Sequence, residues 1–160
     1  MLNRDDIVVQ CLQAIIDYGF NKMIITHGGA LVMEGIVDYT NDIDITVSES
    51  DFNKLAMSHS VQVNGDCRII SVTKTMDVHA GDVSRNEGLI KELGCIYYHS
   101  PETCLENYKS LNRSKDIVKI EAIKFYLAVV KLHHSACVIS SLLEERKRLM
   151  LDCHSNQPAQ

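Results

Sequence analysis

The chain has 160 residues, enough for one domain with a proper core and too few for two full ones. Hydrophobic residues at 46% and charged residues at 23% exclude a disordered chain, and the formal net charge of -5 excludes a general pull toward nucleic acid. The opening "MLNRDD" is charged at once, and the apolar runs read as too short for a bilayer, so the expectation is a soluble cytoplasmic protein with no membrane partner.

Asp5 to Tyr18 reads as an amphipathic helix, with Ile7, Val8, Cys11, Leu12, Ile15 and Ile16 on one face and Gly19 as its stop. "KMIIT" reads as a short buried strand, Gly28-Gly29 as a turn, and "ALVME" as one or two helical turns closed by Gly35. "DIDITVS" alternates, which sets Asp42, Asp44 and Thr46 on one face against Ile43, Ile45 and Val47 on the other. Ser48 or Ser50 suits the cap of a following helix that turns Phe52, Leu55 and Ala56 inward. "VQVNGDCRII" carries a hairpin signal at Asn64-Gly65, and "KTMDVHAG" is a further strand with Asp77 and His79 on one face.

From Ser100 onward the pattern is helical. Ser100-Pro101 marks one helix start, Ser114 a second, and Ser141-x-x-Glu144 resembles a capping box for a last helix. Whether 115–150 is one long helix or two stays open. The layout predicts an α/β (α+β) fold in one domain over 1–160: a strand-rich part at 1–98 and a helical part at 99–155. The six scattered cysteines read as reduced, mostly buried small hydrophobes, with zinc binding by His133, His134, Cys137, Cys153 and His154 the weaker alternative.

Chemistry concentrates in "THGGALVMEGIVDYTNDIDITVS". A strand that turns directly into a helix leaves backbone N–H groups aimed at a place where an anion can sit, and glycine there lets a phosphate approach closely. Alone, Gly-Gly reads as a tight turn. Asp42 and Asp44 project the same way, and two carboxylates so close favour a cation between them; all-oxygen ligation suits Mg²⁺ completed by substrate phosphates. Alone, Asp-x-Asp reads equally as an acidic edge. Asp77 adds a third carboxylate if its strand is a neighbour, and three carboxylates with a phosphate cradle suit two-metal phosphoryl or nucleotidyl transfer.

The segments "IITHGGALVMEG", "TNDIDITV" and "TMDVHAG" resemble the minimal nucleotidyltransferases of the polymerase-β-like superfamily. "SPETCLENYKSLNRSKD" is similar to the subset related to abortive-infection and antitoxin nucleotidyltransferases, which often carries a lysine, matched by Lys109, and then an R-x-K-D step, matched by Arg113, Lys115 and Asp116. The resemblance implies a mixed β-sheet flanked by helices, with a helical C-terminal layer. It implies that Asp42, Asp44 and Asp77 hold Mg²⁺, with Mn²⁺ as substitute, and that Gly28, Gly29, Thr40 and Lys109 bind nucleotide phosphate. The activity implied is transfer of an NMP, AMP foremost, from an NTP to a hydroxyl acceptor on a small molecule, protein or RNA, with pyrophosphate release. The rival expectations are a partner-binding regulator or antitoxin-like module, and another Mg²⁺-dependent phosphoryl-transfer enzyme. Three positions depart from the pattern: Gly29 stands where many members have Ser, Asp38 where an arginine is frequent, and Lys119 where an aspartate is common.

Overall fold

A computed structural model describes residues 1–84 and 90–155, with side chains described as far as residue 145. The chain divides into two compact units, Met1–Lys124 and Phe125–Gln160.

The first unit opens with α1 (Arg4–Tyr18), where Asn3 and Asp6 form a reciprocal capping box and Gly19, at φ 66°, ends the helix. β1 (Met23–Thr26) passes directly into α2 (His27–Glu34), which ends at Gly35 with φ 75°. Both glycines of the pair therefore lie in the first turn of α2, so the helix begins three residues earlier than the pattern of "ALVME" predicts. β2 (Ile43–Val47) follows, then α3 (Glu49–Ala56), capped by Ser48. The hairpin of β3 (Gln62–Asn64) and β4 (Cys67–Ser71) turns through Gly65-Asp66, and β5 (Met76–Ala80) comes next.

A second hairpin, β6 (Ile90–Leu93) and β7 (Ile96–His99), was not legible in the sequence pattern. Its outer strand carries the exposed Lys91 and Glu92, so it lacks the alternation of a half-buried strand. α4 (Pro101–Leu111) starts as predicted, with Ser100 as cap and proline at the first position.

The sheet runs β3-β4-β5-β2-β1-β7-β6. β2 lies antiparallel to β1 and parallel to β5, while β1 lies parallel to β7, which makes the sheet mixed. β2 is thus central, and its burial alternates as its sequence does: Ile43, Ile45 and Val47 are fully buried, while Asp44 and Thr46 are partly open. α2 packs on β1, β2 and β7, and α1 and α4 pack on α2 and β7. Met23, Ile25, Leu31, Met33 and Tyr108 fill that layer, each no more than 1% exposed. The acid that fixes α3 is Asp51, 3% exposed, which accepts the Asn21 backbone N–H at 3.3 Å and pairs with Lys54 at 3.0 Å.

Ser114–Asp116 forms a single 3₁₀ turn, and α5 (Ile117–Ser155) then runs unbroken from the first unit into the second. One helix is formed, not two. Ser141 does not cap: its hydroxyl donates to the Cys137 carbonyl at 3.1 Å, one turn back within the helix. Nor does Ser114 cap α5, since the 3₁₀ turn intervenes. The apolar content of this helix also corrects the reading of the hydrophobic runs. Within Ser114–Glu145 an 18-residue window has mean hydropathy 1.4 and is long and apolar enough to cross a membrane by length and composition, with none of it buried. Isolated charges, such as Lys131, divide the sequence into runs that each look short, whereas the helix as a whole passes the test.

Of the five described cysteines, Cys11 and Cys104 are buried, and burial pushes both thiols up to about 12. Cys67, Cys95 and Cys137 are exposed, so "mostly buried" does not hold among the described residues. Of the zinc alternative, His133 and Cys137 lie 3.6 Å apart, and Cys153 and His154 fall outside the described side chains.

Candidate active site

A cavity of about 800 Å³ opens at the end of β1 and the start of β2, where α2 begins. The register explains why these segments meet: Thr26, the last residue of β1, pairs with Asp44 on β2, so the first turn of α2 starts beside that carboxylate. Thr26 caps the helix by backbone conformation alone, with no side-chain hydrogen bond to its free N–H groups. Instead its hydroxyl donates to the Asp44 carbonyl at 3.3 Å.

The two glycines do different things. A Cβ on Gly28 would lie 2.6 Å from Thr40 Oγ1 and 3.6 Å from Lys119 Nζ, and Gly28 lines the cavity. A Cβ on Gly29 would lie 2.7 Å from Ile25 Cγ2, a fully buried core side chain, and Gly29 does not line the cavity. Gly28 lets the Thr40 side chain pack against the start of α2 at the cavity wall, and Gly29 lets helix and strand approach. Gly29→Ala is therefore expected to cost about 1–3 kcal/mol through overpacking, measured by urea unfolding without ligand. An unchanged midpoint would show that Ile25 yields without strain.

Asp42, Asp44 and Thr40 all line the cavity. Asp42 sits just before β2, exposed, and accepts the Thr40 hydroxyl at 3.4 Å. Thr40 is held by the N-terminus: Leu2 and Thr40 exchange backbone hydrogen bonds of 2.7 and 3.0 Å, a tether with no sequence signature. Asp44 is flanked by two imidazoles. His79 Nε2 is 3.3 Å from one carboxylate oxygen, and His27 Nδ1 is 3.5 Å from the other. Burial pushes the Asp44 carboxyl upward, but the bonds to His27 and then His79 outweigh it and hold the group well below the usual carboxylate range. Asp44 is ionised. His27 reaches this place with φ 49°, a left-handed conformation that is uncommon outside glycine and costs backbone strain.

Asp77 is side by side with Asp44 across the parallel β2–β5 pair, the neighbour relation its alternation required. Its carboxylate, however, accepts the Ser71 hydroxyl of β4 at 2.6 Å, and Asp77 is not among the cavity-lining residues. His79, two residues on, turns back to Asp44 instead. Among the described residues no group of three or more His, Cys, Asp or Glu side chains is gathered for a metal ion.

The opposite wall comes from α4 and the start of α5. Tyr108, 1% exposed, meets the His27 ring edge-on at 6.1 Å, and burial raises its phenol, which stays protonated. Lys119 Nζ donates to Tyr108 Oη at 3.4 Å and lies 5.3 Å from the ring centroid. Arg113 and Lys115 also line this side, and Arg113 Nε donates to the buried Asp116 carboxylate at 2.6 Å. Lys109 is exposed and does not line the cavity. Lys115 and Lys119 do line it, and Lys119 stands in the sequence only as a departure from the family pattern.

No family model matches the chain, and no curated protein matches it. Among solved structures, the crystal structure of ANT(2'')-Ia in complex with adenylyl-2''-tobramycin is similar at TM-score 0.54 and 13% identity, covering 87% of this chain and 99% of that one. The solution structure of the antibiotic-resistance factor ANT(2'')-Ia is similar at TM-score 0.54 and 14% identity, covering 94% of this chain and 96% of that one. At these identities the likeness speaks to architecture. The mixed sheet with its five helices is a nucleotidyltransferase-like fold.

Proposed function

We propose that the protein is a Mg²⁺-dependent nucleotidyltransferase that moves an NMP, AMP foremost, from an NTP to a hydroxyl acceptor on a small molecule, protein or RNA. One observation carries the reading: in a fold similar to ANT(2'')-Ia, two carboxylates share a cavity with the uncapped, glycine-lined start of α2. That likeness is to a protein whose crystal structure is a complex with adenylyl-2''-tobramycin.

The residues present fit Mg²⁺. This ion is commonly held by one or two carboxylates together with waters and substrate phosphates, so it needs no preassembled cluster of three. Asp42 and Asp44 would hold it, the second already ionised. When bound, the ion supplies charge neutralisation for the triphosphate and the departing pyrophosphate.

The chain's own groups account for the rest. The free N–H groups at the start of α2 would receive phosphate oxygens, with Gly28 letting Thr40 pack close to that helix start and Thr40 fixing Asp42. His27 and His79 orient the Asp44 carboxylate. Asp77, once turned from Ser71 toward Asp44, would accept the acceptor hydroxyl's proton at a carboxylate oxygen. The acceptor oxygen bonds to the α-phosphorus, the α–β phosphoanhydride bond breaks, and pyrophosphate departs.

Incubating the protein with Mg²⁺ and ATP labelled on the α-phosphate, in the presence of cell extract, tests this. Label transferred to an acceptor with stoichiometric pyrophosphate is the expected result. Release of orthophosphate with no transferred label would refute nucleotidyl transfer.

A further inference from the structure

We propose that Lys119, and not Lys109, is the cation that binds the outer phosphates of the nucleotide; this rests on the nucleotidyltransferase reading above. Lys119 lines the same cavity as Asp42 and Asp44, and its ammonium lies 3.6 Å from where a Cβ on Gly28, in the first turn of α2, would stand. That position puts a positive charge at the start of α2, beside its free N–H groups. Two sources of positive potential thus face one place from different elements.

What holds Lys119 there is not an acid. Its contacts are the Tyr108 hydroxyl and ring, and among the described residues it forms no ion pair. Tyr108 is buried and its phenol stays protonated, so it offers a dipole and a π-face but no counter-charge. A half-buried ammonium without a carboxylate partner retains hydrogen-bonding capacity for an incoming anion. The other basic groups on this wall are placed differently. Arg113 is engaged by Asp116, and Lys115 is exposed. Lys109, in the last turn of α4, lies outside the cavity lining.

The division of labour is that Asp42 and Asp44 serve the metal side of the triphosphate and Lys119 its outer phosphates. An AMP moiety, lacking those phosphates, should not feel the lysine. Calorimetric titration with ATP and with AMP, each with Mg²⁺, on wild type, Lys119→Met, Lys119→Arg and Lys109→Met tests this. Methionine keeps the apolar stem over Tyr108 and removes the charge. Lys119→Met is expected to weaken ATP binding by about 10–100-fold, the range for a lost charge-assisted hydrogen bond, while AMP binding changes less than about threefold. Lys119→Arg should recover part of the loss, and Lys109→Met should bind ATP as wild type does.

Wild-type ATP affinity in Lys119→Met would overturn the inference. Equal losses for ATP and AMP would also overturn it, because that pattern marks a structural role. A wild-type protein that binds no ATP would sink the nucleotide reading itself and this inference with it, a result distinct from the other two. If Lys119→Met does not fold, judged by circular dichroism, Lys119→Gln carries the same comparison.

Discussion

Asp44→Asn is expected to lower nucleotidyl transfer on the order of a thousandfold while leaving the protein folded. The magnitude follows from removing a group whose charge acts on the reacting phosphates, where single preorganised groups are worth about 10²–10³ or more. The fold should survive because asparagine has the same shape and its amide can still meet His27 and His79, which now contact the two carboxylate oxygens. Its Cα stays fixed between Thr26 and Asp77 in the central ladder. Binding should change in parallel. Wild-type protein should gain melting temperature with ATP and Mg²⁺ together, and much less with ATP alone, since carboxylates and polyphosphate repel without a cation between them. The double variant Asp42→Asn with Asp44→Asn should lose the Mg²⁺-dependent part of that gain. If its ATP–Mg²⁺ shift equals that of wild type, the nucleotide binds elsewhere and the assignment of this cavity falls.

Ile45→Ala is expected to produce a large loss of stability, about 2–5 kcal/mol, and with it a loss of transfer. Ile45 is fully buried at the middle of β2, bonded into β1 on one side and β5 on the other. Packing from neighbouring strands and from α2 leaves little freedom to collapse into the space that truncation opens. The corresponding drop in melting temperature is roughly 5–15 °C for a chain of this size. Because Asp44 and Thr46 flank Ile45 on the open face, slack at Ile45 should also loosen the carboxylate beside the imidazoles. A variant that melts within a degree or two of wild type would mean that β2 is not the centre of the core.

The two variants probe features that were unequally legible in the sequence. The alternation of "DIDITV" placed Ile45 in the core and Asp44 on the open face, and β2 shows both. Helix starts and stops at Gly19, Ser48, Ser100-Pro101 and Gly35 were also readable, since caps depend on a few adjacent residues. The β6–β7 hairpin was not, because charges on an edge strand hide its period. The unbroken α5 was not either, since Ser114 and Ser141 look like helix starts until Ser141 is seen bonding within the helix and Ser114 standing in the 3₁₀ turn before it.

By itself the sequence determined the alternation of β2 and β5, the stops of α1 and α2, the starts of α3 and α4, and the closeness along the chain of the glycine pair to Asp42 and Asp44. These are local matters, governed by backbone sterics and hydrogen bonds within a few residues. Only the tertiary structure decided which strands are neighbours, and so that Asp77 lies beside Asp44 while its carboxylate turns to Ser71. It also decided that Gly28 faces the cavity and Gly29 the core, that His27 and His79 bracket Asp44, and that Lys119 enters the site while Lys109 stays outside. Each of those outcomes depends on strand order and on the side chains of distant segments, and the periodicity of a segment fixes which face a residue takes but not what waits on the other side of it.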